Sequence, residues 1–239
     1  MRVLAVGDLH LPHIRRGYLQ FCRDISRQYK CDTVVMLGDV VDLHAVSYHE
    51  KHPDADGPTT EVLKAKAAVM EWYKAFPKAT VVVGNHDRLL IRKAATGSIP
   101  ELALKSFSEM WNTPNWRWVN STTIDGVLYV HGDGCGGGIH PAYNTMRKMA
   151  QSVVMGHHHT AAGFKFLCNS DRRLFGMDVG CGLAWDAIQF LYQERNPCKP
   201  VIAVGTVIDN VPQLHVMPCG RGEAYHDSKF KGRFSRRRK

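Results

Sequence analysis

At 239 residues and 26.8 kDa, with 44% hydrophobic and 22% charged residues, the chain can bury a sizeable core and has the composition of a folded, water-soluble protein. No apolar run reaches the roughly 18 residues of a membrane helix, and residues 3–6 are too short for a signal-peptide apolar region, so neither membrane insertion nor export is expected. The net charge of +9 suggests a polyanionic partner, but residues 229–239 carry seven basic side chains and no acid, leaving only +2 for residues 1–228.

The predicted elements alternate short apolar runs with helical patterns. Residues 2–6 form a strand that stops at Gly7-Asp8, and residues 18–29 place Leu19, Phe21, Cys22 and Ile25 on a helical face. Residues 33–37 form a second strand, again ending in Gly-Asp. After the polar stretch 44–58, Thr59 or Thr60 caps a helix running to about residue 76. Residues 79–83 give a third strand before Gly84-Asn85, so the opening reads β-α-β-α-β, a sheet with covering helices. A helix is expected over 101–111, then short strands at 117–119, 122–124 and 127–130 with an Asp125-Gly126 hairpin turn. A helix at 141–150 and strands at 152–155, 163–166, 173–179, 201–208 and 213–217 complete the pattern. The economical organisation is one mixed α/β (α+β) domain over residues 1–228 and a basic, disordered tail over 229–239, which either attracts a polyanion or serves only as a solvated appendage. Seven cysteines, odd in number and never spaced C-x-x-C, point to reduced thiols and a cytoplasmic setting.

Five clusters follow strand ends and offer hard or borderline metal ligands: Asp8-Leu9-His10, Gly38-Asp39 through Asp42, Gly84-Asn85-His86-Asp87, His131-Gly132-Asp133 and Gly156-His157-His158-His159. A strand end fixes Cα positions while the following loop lets side chains converge. On extended backbone, residues i and i+2 point the same way, so Asp8 with His10 can share one ion, and His157 with His159 can share one or serve a neighbouring ion, with His158 facing away. A carboxylate, imidazole and amide set suits manganese, iron, zinc or nickel.

In this order and spacing, D-x-H, G-D-x-x-D, G-N-H-D, H and G-H-x-H resemble the calcineurin-like metallophosphoesterase superfamily, across about two thirds of the chain. The resemblance implies a four-layer fold, a central β-sandwich flanked by helices, with the site at strand ends along one edge. It implies two divalent metal ions, manganese first among them: one held by Asp8, His10, Asp39 and His159, the other by Asp39, Asn85, His131 and His157. His86 matches the catalytic histidine that touches phosphate and protonates the leaving oxygen, with Asp87 orienting it. Asp42 is expected to hydrogen-bond a ligand rather than bind metal. The implied reaction is in-line attack on phosphorus by hydroxide from a bridging water acidified by the two ions.

Substrate is less legible. Phosphoprotein phosphatases of the superfamily carry Arg-Gly after the second motif and Arg before G-N-H, where this chain has Leu43-His44 and Val83. Compact prokaryote- or phage-type members are the nearer match, which would place the protein in a host cytoplasm if phage-encoded. They act on phosphomonoesters and phosphodiesters, and the basic tail favours nucleotide or nucleic acid. A phosphoprotein phosphatase is one alternative, and a non-catalytic, protein-binding scaffold of the same fold is the alternative from another class. Arg88 and His44 are candidate substrate contacts; starting a surface helix and lying in a solvated loop are their respective alternatives. Trp111, Trp116 and Trp118 suit packing better than base stacking, and the glycines at 134–138 lack the Gly-Lys-Ser/Thr of a phosphate loop.

Overall fold

A computed structural model describes residues 1–184 and 199–218, so the basic segment 229–239 lies outside the described residues. The first sheet has the order β11 (Val211–Val216), β10 (Ala203–Ile208), β1 (Arg2–Val6), β2 (Thr33–Met36), β3 (Ala79–Val82) and β4 (Trp116–Val119). Strands β1 to β4 run parallel, and β10 and β11 add an antiparallel flank. The second sheet has the order β5 (Thr122–Ile124), β6 (Val127–Val130), β7 (Ser152–Met155), β9 (Arg173–Asp178) and β8 (Gly163–Cys168), with β6, β7 and β9 parallel. Parallel pairing in register, Val3 with Thr33 and Val127 with Ser152, brings the C-terminal ends of successive strands to one edge of each sheet.

Alternation along β1 decides the layers. Val3 and Ala5 face the second sheet and pack with Val35, Leu37 and Val82 against Tyr129, Val154, Phe175 and Met177. Leu4 and Val6 point the other way, onto α1 (Tyr18–Gln28) and α2 (Pro58–Ala75), where Tyr18, Cys22, Val69 and Trp72 are buried. On the far side of the second sheet, α5 (Pro141–Met149) packs Ala142 and Met146 on Val153 and Met155. The fold is therefore helix, sheet, sheet, helix, the expected four layers. Strands buried on both faces read as continuous apolar runs, which is why β1, β2 and β7 are unbroken in the sequence.

Local chemistry sets most boundaries. Helix α2 starts one residue before the expected threonine cap, because Pro58 supplies the preset φ of a first helical position behind Gly57. Asp125 and Gly126, at φ 49° and 79°, make the tight turn between β5 and β6. The single helix expected over 101–111 is two pieces, a 3-10 turn at Glu101–Ala103 and α4 (Phe107–Trp111). The Ser106 hydroxyl accepts the Glu109 N–H while the Glu109 carboxylate accepts the Ser106 N–H, a capping box that starts a new helix. A short helix with no strong sequence signal, α3 (Leu89–Thr96), follows the third motif. Trp111 and Trp116 are buried, and Trp118 stacks on Phe107 with centroids 5.1 Å apart, so all three pack. Among the described residues no helix is long and apolar enough to cross a membrane, and Cys22, Cys31, Cys135, Cys168 and Cys181 are free thiols.

Candidate metal centre

The ends of β1, β2, β3, β6 and β7 deliver all five clusters to one place. The geometry is not the extended i, i+2 arrangement: Asp8, His10, Asp39 and His157 have φ of 50°, 48°, 48° and 68°. Left-handed backbone at a non-glycine residue costs about 1–3 kcal/mol each and persists where the surroundings over-determine it, commonly at functional sites. Asp8 is held by the His157 backbone N–H, which donates to Oδ1 at 3.0 Å and Oδ2 at 2.8 Å. Asp39 Oδ1 accepts the His86 backbone N–H at 2.8 Å.

Two groups of donor atoms, each within 4.8 Å, result: Asp8, His10 and His159, and Asp39, His131 and His157. Asn85 joins the second through its Oδ1, 3.0 Å from His131 Nε2. The groups adjoin where His10 Nε2 lies 3.8 Å from Asp39 Oδ2. A further grouping sets His86 beside His10 and Asp39.

Whether these residues suit cations is decided at His131. Its Nδ1 donates to the Leu37 carbonyl at 2.7 Å, so the neutral ring carries a bare lone pair on Nε2. That lone pair faces Asn85 Oδ1 at 3.0 Å, His157 Nδ1 at 3.2 Å and Asp39 Oδ2 at 3.3 Å. The two oxygens are acceptors, and acceptors facing a lone pair repel it unless a cation or a proton lies among them. Without a cation the ring must hold a proton: burial pulls its pKa down, but the Asp39 and Asp8 charges outweigh this and raise it to about 10. The donor set therefore fits a divalent ion.

The flanking residues correct two expectations. His86 Nδ1 donates to the backbone carbonyl of Asp42 at 2.6 Å and lies 3.4 Å from that residue's carboxylate. Asp87, expected to orient His86, instead accepts the backbone N–H groups of Gly84 at 2.8 Å and Val41 at 3.3 Å, because its buried carboxylate turns into the loop rather than towards the ring. Burial and then the charge of Asp39 lift the Asp87 carboxyl to about 6 despite those bonds. Asp42 also accepts His10 Nδ1 at 2.7 Å, so one residue orients two imidazoles. His44 is not in a solvated loop over the site: it is buried, with Glu61 accepting its backbone N–H at 2.8 Å. Arg88 precedes α3, and its guanidinium is committed to Asp133 at 2.9 Å. His158 turns from the two groups towards Asp178. Glu61 and Asp178 lie in no motif, and Asp133, though part of the fourth cluster, carried no sign of its pairing with Arg88.

Gly84 has no room for a side chain, since an added Cβ would overlap Asp39 Oδ1 and its backbone nitrogen. Gly84→Ala is expected to raise the manganese concentration for half-maximal binding by about 10–100-fold, as loss of supporting contacts does at metal sites. Gly57→Ala, where nothing lies within 4 Å, is expected to leave it unchanged. A metal titration of both variants checks this.

The calcineurin-like phosphoesterase family matches residues 1–187, and the chain belongs to that family. No curated protein sequence matches it. Among solved structures it is similar to the phosphoesterase YfcE from E. coli, at 13% identity over 91% of this chain and 98% of that one, TM-score 0.41. It is similar also to vacuolar protein sorting 29 from Cryptosporidium parvum, at 13% identity over 90% and 96%, TM-score 0.43. The nuclease MPE of Pseudomonas putida aligns at 15% identity over 89% and 87%, TM-score 0.37.

Proposed function

We propose that this protein hydrolyses phosphoesters with two divalent ions, manganese in preference to iron, zinc or nickel. Asp8, His10, Asp39 and His159 would hold one ion, and Asp39, Asn85, His131 and His157 the other. When bound, the pair supplies a hydrolytic nucleophile near neutral pH and offsets charge on the phosphoryl oxygens. The residues of the chain do the rest. Asp42 fixes the His10 ring and the Leu37 carbonyl fixes the His131 ring, so each imidazole presents Nε2 to the centre. His86, with Nδ1 committed to the Asp42 carbonyl, keeps Nε2 for a proton that passes to the leaving oxygen. Asp87 braces the loop that carries Asn85 and His86.

The observation that carries this reading is the convergence of lone pairs around His131 Nε2, which a resident cation would resolve. Nucleotide or nucleic acid is the proposed substrate class, supported by the basic sequence at 229–239, and the cytoplasm the proposed compartment. The test is a manganese-loaded protein offered p-nitrophenyl phosphate, bis-p-nitrophenyl phosphate, a 2′,3′-cyclic nucleotide, DNA and RNA. Hydrolysis of at least one ester, lost on chelation, is expected; hydrolysis of none sinks the proposal in favour of a binding scaffold.

A further inference from the structure

Behind Asp42, on the side away from the two donor groups, a further cluster forms. A ring nitrogen of His13 and carboxylate oxygens of Asp42 and Glu61 lie within 4.8 Å of one another. They come from the loop after β1, the loop after β2 and the first turn of α2. Asp42 is fully buried and Glu61 is 1% exposed, so two carboxylates sit together out of water. Glu61 is anchored by the backbone N–H groups of His44 at 2.8 Å and Ala45 at 2.7 Å. Asp42 is anchored through Oδ1, which accepts His10 Nδ1 at 2.7 Å, whereas its Oδ2 has no hydrogen-bond partner among the described residues. With Oδ1 turned to the His10 ring, Oδ2 is the oxygen left for the cluster. A buried acceptor left open costs about 1–3 kcal/mol, so its retention asks for a reason.

The spacing suits an ion better than a proton. His13 Nε2 lies 3.5 Å from Glu61 Oε1, beyond the roughly 2.7–3.2 Å of a direct N–H···O bond. Two ligands each about 2.1 Å from a tetrahedral zinc ion stand about 3.4 Å apart. One imidazole with two carboxylates is a donor set of borderline hardness, and three protein ligands leave the fourth position to water. A divalent ion would offset both buried carboxylate charges, where an imidazolium would offset one. A bare ion needs no cavity wider than itself, so donors covered from bulk water are the expected state, as at Asp8 and Asp39. The side chain of His13, 10% exposed, provides the way in.

We propose that His13, Asp42 and Glu61 form a third metal site, selective for zinc, which ties the loop carrying Asp42 to α2. The site is distinct from the binuclear centre and touches it through Asp42, the residue that orients the His10 and His86 rings. Its role is to hold that loop, so it stands whether or not the centre turns over a phosphoester. Manganese, at the weak end of the divalent series and suited to oxygen-rich octahedral sites, is not expected to fill it. Manganese-loaded protein should therefore hold two ions per chain and zinc-loaded protein three.

Bound metal, measured by elemental analysis after equilibration with zinc and gel filtration of the full-length protein, tests this. His13→Gln and Glu61→Gln are each expected to hold one zinc fewer than the native protein. Neither should lose manganese when loaded with that ion instead. Zinc should also raise the melting temperature of the native protein by more than that of either variant. A cooperative melt shows that each variant is folded; should Glu61→Gln, which gives up one of two acceptor oxygens, fail to melt cooperatively, His13→Gln at the partly exposed edge decides alone. Equal zinc in the native protein and a folded variant would overturn the site. So would a loss of manganese matching the loss of zinc, which would assign the effect to the binuclear centre. Failure of that centre would lower the total in native protein and variants alike and leave the difference of one zinc in place.

Discussion

Replacing His86 by alanine is expected to cut turnover of an alkyl phosphoester by about 10²–10⁴-fold, the usual worth of a positioned proton donor, while two ions stay bound. The side chain touches the site through Nδ1, which donates to the Asp42 carbonyl, and through an edge-on contact with the His10 ring at 4.7 Å. What anchors Asp39 is the backbone N–H of residue 86, which alanine keeps. The loss should depend on the leaving group. An alkoxide needs its proton as the P–O bond breaks, whereas p-nitrophenolate leaves well without one, so the variant should retain far more activity on the aryl ester. Elemental analysis of bound metal, set beside rates on both ester types, decides the matter. Loss of metal together with activity would make His86 a ligand, in keeping with its place beside His10 and Asp39. An unchanged alkyl-ester rate would remove it from the chemistry.

The same histidine shows what could and could not be read from the sequence. Each metal motif is a few residues long and follows an apolar run, so Asp8, Asp39, Asn85, His131 and His157 could be picked out locally. The meeting of Asp8 with residue 157, 149 positions away, follows from parallel pairing of β1–β2 and of β6–β7–β9 and from the stacking of the two sheets. No short-range pattern encodes that, and the family resemblance supplied it. What orients His86 turned on a loop conformation: Asp87 is adjacent in sequence, but its carboxylate is drawn to the Gly84 and Val41 N–H groups, and the backbone carbonyl of Asp42 takes its place. His44 looked like part of a polar loop because His and Asp are usually solvated, whereas Glu61, seventeen positions on and inside α2, fastens it into the interior. Residues 101–111 had helical composition throughout, and only the competing start at Ser106 broke them in two. Asp178 was invisible because a lone acid at a strand end carries no spacing to recognise.

Asp39→Asn tests the centre at the residue proposed to bridge the two ions and should be more damaging still. Asp39 is 2% exposed; its Oδ1 accepts the His86 N–H, and its Oδ2 faces His131 Nε2 at 3.3 Å and His10 Nε2 at 3.8 Å. Asparagine keeps the shape and a neutral acceptor for the His86 N–H but removes the charge proposed to bridge the two ions. Bound metal is expected to fall from two ions to one or fewer, and hydrolysis by more than about 10³-fold, because nucleophile supply and charge neutralisation fail together. Stability gives a readout independent of activity. A ligand that binds only the folded state at 100 times its dissociation constant adds about 2.7 kcal/mol, so manganese should raise the melting temperature of the native protein clearly and that of the variant little. Without metal the variant should itself melt lower than the native protein. Burial opposes the Asp39 charge, but the imidazoles around it hold its pKa well below the usual carboxylate range, so their attraction outweighs that cost and the amide forfeits it. The manganese-dependent rise is therefore read for each protein against its own metal-free value. A variant that kept two ions, or that shared the full manganese-dependent rise, would show that Asp39 does not join the two groups. The sites would then have to be independent, with neither able to work through the other.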